Sequence, residues 1–218
     1  MNADHDPPWA MQLAVRAERA APPAHSAVCA AAAMAVVRLL TDPRSTDGEW
    51  SEAVGRWESG RIRKVARRAR GVRWPAAQEI PGVTVDHGGA QVRAFPPAPV
   101  TEVPPELARL QVAGLDLDDD EEPKPPPARP YAAIALNPHV TMSTGKAAAQ
   151  AGHAAHLLLR QSGAAAREDW LGAGLAVHLV RGVPWEECVG QAAVAVRDAG
   201  YTEVPPGTMT AIAWIVSH

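Results

Sequence analysis

Two short segments of this 218-residue chain hold side chains whose types and spacing suit chemistry. In residues 142–155, MSTGKAAAQAGHAA, a glycine precedes a helical pattern and Lys146 falls in its first turn. A cation there opposes the helix dipole, which favours anions at that end. Lys146, Gln150 and His153 stand at i, i+4 and i+7, so they share one helical face and can jointly meet a ligand laid across the helix start. The plainer alternative is a solvated Lys146 and a core His153. In residues 196–212, VRDAGYTEVPPGTMTAI, a strand ends in Asp198, Ala-Gly turns the chain, and Thr202 and Thr208 flank a Pro-Pro-Gly corner. A carboxylate and two hydroxyls near strand ends occupy the usual place for a site in an α/β domain. The alternative is a turn in which Asp198 and Thr202 bond only to backbone.

The elements that must position these groups follow from pattern. Residues 132–136 read as a buried strand, 144–160 as a helix begun after Ser143 or Thr144, and 175–180 as a strand. Pro184 opens a helix, and strands follow over 193–196 and 209–216. The order β, α, β, α, β, β is that of a layered α/β domain. Upstream, Pro22 and Pro23 precede an Ala-rich helix over 25–40, and Val83 to Val85 form a β-branched run. Between the halves, residues 116–130 join an acidic block to a proline-rich stretch, which predicts an extended linker.

The halves resemble each other. VRWP at 72–75 matches VPWE at 183–186 with an offset of 111, which also lays Val83, Val85 and Gly89 on Val194, Val196 and Gly200. WAMQLAVR from Trp9 lies over YAAIALNP from Tyr131, and an Ala-rich helix follows each. The expected architecture is two tandem α/β/α layered domains, residues 1–115 and 131–218, each with a small mixed sheet of about four strands, forming a pseudo-dimer within one chain. With a helix offset of 119, Lys146, Gln150 and His153 fall on Ala27, Ala31 and Met34. With the later offset of 111, Asp198, Thr202 and Thr208 fall on His87, Gln91 and Pro97, so the first copy is expected to lack the site.

The two segments together resemble the signature of the type 2 peptidyl-tRNA hydrolases. The pattern GK, A, A, Q, HA is met by Gly145, Lys146, Ala148, Ala149, Gln150, His153 and Ala154. DAG, T, PGT is met by Asp198, Ala199, Gly200, Thr202, Pro206, Gly207 and Thr208. The chain departs from the family in STGK, where relatives often carry a second glycine-lysine pair, and in a short loop before Trp170. The resemblance implies hydrolysis of the ester between a peptide and the tRNA 3′ ribose, without metal or cofactor. Such chemistry needs an activated water, a stabilised oxyanion and a departing ribose oxygen. On this reading Asp198 orients or deprotonates water, Lys146 supports its charge and faces phosphate or oxyanion, and Thr208 donates a hydrogen bond. Gln150, His153 and Thr202 position them.

Composition sets bounds. The charge of -3 argues against a polyanionic partner, yet Asp116, Asp118, Asp119, Asp120, Glu121 and Glu122 are six acids in one run, without which the remainder carries +3. Residues 61–73 hold seven cations in thirteen positions. As a strand, this segment sends Lys64, Arg68 and Arg70 to one face and Arg63 and Arg67 to the other; with Arg61 they form a basic ribbon suited to tRNA phosphates, or a charged edge that blocks strand pairing. His153 and His156 lack a carboxylate or cysteine at ligand spacing, which favours packing over zinc. No phosphate-loop motif and no nucleophile elbow occur, which excludes nucleotide hydrolysis and serine-type catalysis. Cys29 and Cys188 read as buried free thiols in a reducing cytoplasm, and neither a signal peptide nor a membrane span is supported. The function classes in play are the hydrolase, a non-catalytic RNA- or ribosome-binding module, and a protein-interaction protein.

Overall fold

The computed structural model describes residues 7–119, 122–200 and 203–217. Thr202 and two acids of the linker, Asp120 and Glu121, lie outside the described residues. The fold is α/β, built on two mixed sheets. The first lobe comprises β1 (Trp9–Arg16), α1 (His25–Leu40), α2 (Pro43–Thr46), α3 (Ser51–Glu58), β2 (Lys64–Ala69), α4 (Arg73–Gln78), β3 (Val83–His87), β4 (Ala90–Ala94), β5 (Ala98–Pro99) and α5 (Pro105–Ala108). The second comprises β6 (Tyr131–Leu136), α6 (Thr144–Gln161), α7 (Ala164–Gly172), β7 (Val177–Leu179), α8 (Trp185–Gln191), β8 (Val194–Arg197) and β9 (Met209–Val216).

The strand orders are β2-β1-β4-β3 and β7-β6-β9-β8, and β5 adds a short antiparallel pair at the start of β1. In both sheets the first two strands are parallel and the other pairs antiparallel. The lobes differ where the β3–β4 and β8–β9 hairpins turn. Val83 pairs with Ala94, and Val194 with Ala213, so these positions are structural equivalents. Between them only Gly88 and Gly89 join β3 to β4, whereas residues 198–208 join β8 to β9. The uniform offset of 111 therefore does not carry past β3, and Thr202 and Thr208 do not correspond to Gln91 and Pro97. The first lobe has a tight turn in place of the Asp198 loop.

Helices α1 and α6 lie against each other between the sheets, and their buried residues belong to one hydrophobic core with those of both lobes. Being covered on several sides, α1 is buried at all but three of its sixteen positions, which is why its sequence is apolar almost all round. Alanine and glycine let the two backbones approach. A Cβ at Gly152 would stand 3.0 Å from Val36 Cγ2 and 3.3 Å from Lys64 Cδ. Smaller clusters fill the outer faces, one around Trp74, Phe95 and Leu107 and one around Tyr131, Cys188 and Trp214. Both cysteines are buried and unpaired. Among the described residues no helix is long and apolar enough to cross a membrane.

Among its described residues the linker forms no regular element, but it is docked. The Asp118 carbonyl accepts from His25 N at 2.9 Å, and the Asp119 carboxylate accepts from Ser26 N at 3.0 Å and pairs with Arg181 at 3.1 Å. An acid at the start of α1 is favoured by the helix dipole.

Between the lobes Lys64 of β2 is buried against α6, its Nζ 3.3 Å from His153 Nδ1, 3.2 Å from His156 Nδ1 and 4.7 Å from the centre of the Trp57 ring. His156 stacks on Trp57, and its Nε2 meets Glu58 Oε1 at 2.8 Å. These bonds fit a neutral His156 that accepts at Nδ1 and donates at Nε2. Arg160 closes the network on Glu58. Burial lowers the pKa of Lys64 well below 10.5 despite nearby Glu58. Burial, then Lys64, lowers that of His153 well below 6.5; burial also lowers that of His156 against the pull of Glu58.

The folded chain thus binds fewer protons at these groups than the unfolded chain, and acid favours unfolding. The histidine contribution is whole above 6.5 and is lost as pH falls through the lowered values; the lysine contribution already declines below 10.5. We expect the thermal midpoint, followed by Trp fluorescence, to fall steadily from pH 8 to pH 5. Lys64→Met should flatten that slope without lowering the midpoint at pH 6, since an apolar replacement of a buried charge is often neutral or stabilising.

Candidate active site

The start of α6 is built by a cap and a clamp. Ser143 is the N-cap, its hydroxyl accepting from Lys146 N at 3.2 Å. Ser143 is itself held by Glu203 of the β8–β9 loop, which accepts from its N at 2.8 Å and from its hydroxyl at 2.7 Å. The Glu203 carboxylate therefore sits at the positive end of α6 and ties the loop to the helix. Lys146 enters the same turn with the opposite sign. Its ammonium is paired with Asp198 Oδ2.

Asp198 follows the last residue of β8. Its N donates to the Thr208 carbonyl at 2.9 Å and its carbonyl accepts from Gly207 N at 2.7 Å, so the loop closes on this residue. The carboxylate is held from three directions: Lys146 Nζ and Gln150 Nε2 on Oδ2, the latter at 2.8 Å, and Gly200 N on Oδ1 at 2.7 Å. The turn needs glycine at 200. Its φ is +79°, and a Cβ there would stand 2.7 Å from Pro206 N and Cδ. The Ala-Gly and Pro-Pro-Gly motifs are thus two sides of one contact.

Gln150 lies one turn along α6 from Lys146. With its Nε2 committed to Asp198, its Oε1 accepts from Thr210 Oγ1 at 2.7 Å, which fixes the orientation of the amide. The side chains of Asp198 and Lys146 are 6% and 12% exposed, a nearly buried pair just below the surface. Such a pair contributes little net stability, because desolvation offsets its Coulomb attraction.

The structure brings Lys146, Gln150 and Asp198 together. His153 is bonded to Lys64, so it faces the first lobe instead of the carboxylate. Thr208 turns its hydroxyl to the Pro205 carbonyl at 2.7 Å. The basic segment is divided. Lys64 is buried, and Arg67 donates to Gln12 Oε1 at 2.7 Å and to the Leu110 carbonyl at 3.2 Å. Arg68 is bonded to Gln111 Oε1 and Gly114 O, Arg70 donates to Ala17 O at 2.7 Å, and the Arg63 carbonyl accepts from Met11 N at 2.9 Å. Arg61 is exposed.

Three members of the site escaped the sequence reading: Ser143 as the holder of Glu203, Glu203 itself, and Thr210. Strict alternation along β9 assigns Thr210 to the face of Ile212 and Trp214. The pairing shifts, however, from Val196 with Ala211 to Arg197 with Met209, which leaves Thr210 as the extra residue of a bulge. A bulge re-aims a side chain, and Thr210 turns to Gln150, fully buried. Its one sequence signal is a hydroxyl in an otherwise apolar strand.

No family model matches the chain. It is 40% identical over 93 residues to the peptidyl-tRNA hydrolase of Pyrobaculum aerophilum, an alignment that covers 36% of this chain and 78% of that protein.

The Gly200 contact can be isolated by comparison with Gly207, which has φ +81° and open space around a Cβ. Both alanine variants bear left-handed strain of about 1–3 kcal/mol. Only Gly200→Ala also meets Pro206, so calorimetry should give it the lower melting temperature of the two, by several degrees.

Proposed function

Because the chain belongs to the peptidyl-tRNA hydrolase family, we propose that its second lobe, as a type 2 member, hydrolyses the ester between a peptide and the 3′ ribose of tRNA. The observation that carries this reading is the meeting of Lys146, Gln150 and Asp198 across a helix start and a strand end. A carboxylate accepts about four hydrogen bonds. Lys146 and Gln150 engage Oδ2, and Gly200 N engages one side of Oδ1, which leaves an acceptor direction on Oδ1 suited to the attacking water. In this proposal Asp198 orients that water and takes its proton as the carbonyl is attacked, and the Lys146 ammonium stabilises the oxyanion or the neighbouring phosphate. Gln150, locked by Thr210, keeps the carboxylate from rotating. Thr208, in the same loop, and Thr202, named from the sequence motif alone, would contact the substrate. No step calls on a metal ion.

The first lobe is read as a second copy of the domain that kept the scaffold and lost the chemistry. Supporting this are the shared strand order and the absence of an Asp198 loop between β3 and β4. The α1–α6 contact then acts as an internal dimer interface. Sedimentation should give one species near 23.0 kDa, and an obligate dimer of the full chain would remove the pseudo-dimer reading.

Peptidyl-tRNA cleavage by Asp198→Asn and Lys146→Ala tests the chemistry. Turnover should fall about a hundredfold to ten-thousandfold in Asp198→Asn, the range for loss of a proton-transfer group. Near-normal turnover in either variant would take that residue out of the mechanism.

A further inference from the structure

Arginines gather at the end of β2 for which neither the ester chemistry nor the packing of the lobes accounts. Arg19, Arg68, Arg70, Arg73 and Gln111 line a hollow of about 200 Å³. No carboxylate, aromatic or aliphatic side chain is among these five. One acid is nearby: Glu18 accepts from Gly71 N at 3.1 Å, pairs with Arg16 at 3.5 Å and also acts on Arg70. Burial, then Arg68 and Arg19, lowers the pKa of Arg70 against the pull of Glu18, so the like charges feel one another.

Three of these four cations are fixed in place, and the fourth, Arg19, is exposed. Arg70 donates to the Ala17 carbonyl at 2.7 Å, Arg73 to the Arg109 carbonyl at 3.1 Å, and Arg68 to Gly114 O and Gln111 Oε1. Neutral acceptors orient the guanidinium planes without cancelling their charge, which is the arrangement that pre-organises a site for a phosphate group. A lining with no ring to stack on suits the backbone of a nucleic acid and not its bases.

The hollow is linked to the start of α6 through one segment. Gln111 and Gly114, which hold Arg68, belong to the segment that packs on the first turn of α6. The Leu115 carbonyl accepts from Gly145 N at 3.2 Å, and a Cβ at Gly145 would meet Val112 O at 3.8 Å and Ala66 Cβ at 3.9 Å. Lys146 is the next residue.

We infer that the first lobe supplies a phosphodiester-binding pocket, centred on Arg19, Arg68, Arg70 and Arg73, that grips the tRNA backbone while the second lobe acts on the ester. The inference rests on tRNA being the substrate. It gives the lobe without a catalytic loop a role in binding, through residues on the side of β2 that faces the start of α6.

The test is binding of deacylated tRNA to the full chain between 50 and 200 mM salt, measured by filter retention. Arg19→Gln/Arg73→Gln should weaken binding about tenfold and make the log–log salt dependence shallower by about one to two, the release expected for one or two lost phosphate contacts. Arg129→Gln, which removes an exposed linker charge, should leave the slope as it is. If the double variant loses its melting transition, the exposed Arg19→Gln alone should still reduce the slope. An unchanged affinity and slope in folded variants would overturn the inference. So would calorimetry in which inorganic phosphate binds the hollow tightly while tRNA binding ignores the substitutions, since the ligand would then be a free phosphate. Arginine-dependent tRNA binding without ester cleavage by the native chain would instead sink the hydrolase reading and leave the pocket standing.

Discussion

The ion pair of Lys146 with Asp198 is the constraint around which the second lobe is arranged. A lysine in the first turn of a helix sits at the wrong end of the dipole, and an aspartate 6% exposed has lost most of its water. Each makes the other tolerable, and neighbouring donors complete the account: Gln150 on one carboxylate oxygen, Gly200 N on the other. Among the described residues, Glu203 on Ser143 is a second tie of the β8–β9 loop to α6. A pair of this kind adds little to stability, so its value lies in presenting a charged, oriented carboxylate beside a cation just below the surface.

That arrangement depends on helix packing some distance away. Helix α6 can offer Lys146 and Gln150 to one sheet only because its other side is sealed by α1, and the two helices close where Val36 meets Gly152. The docked linker reinforces the same end: Thr144 Oγ1 accepts from Leu117 N at 3.0 Å and lies 3.0 Å from His25 Nδ1. The first lobe therefore forms a wall of α6 and places Lys64 of β2 along that wall.

The differences between the lobes show how little separates a scaffold from a site. Both sheets have the same order and the same mix of parallel and antiparallel pairs. One turns its hairpin on Gly88 and Gly89, and the other has the loop that carries Asp198, Glu203 and Thr208. The proposed chemistry would reside in that loop and in three side chains of α6 and β9, while the strand order beneath is common to both lobes.

Local pattern alone determined much of this. The bounds of α1 and β9 match the residues marked by their apolar runs, α6 extends one residue past its expected end, and the spacing of Lys146 and Gln150 put both on the face that meets Asp198. Helical and strand periods are properties of consecutive residues, so they are legible in one dimension. What only the tertiary structure decided involves partners far apart in the chain. Lys64 looks like surface charge until α6 and Trp57 cover it, and His153 finds that lysine 89 residues away. Thr210 is turned inward by a bulge defined against another strand, and the arginines become a pocket because segments near 19, 68, 73 and 111 converge. Burial and convergence depend on what packs across from a residue, and no window of sequence contains that.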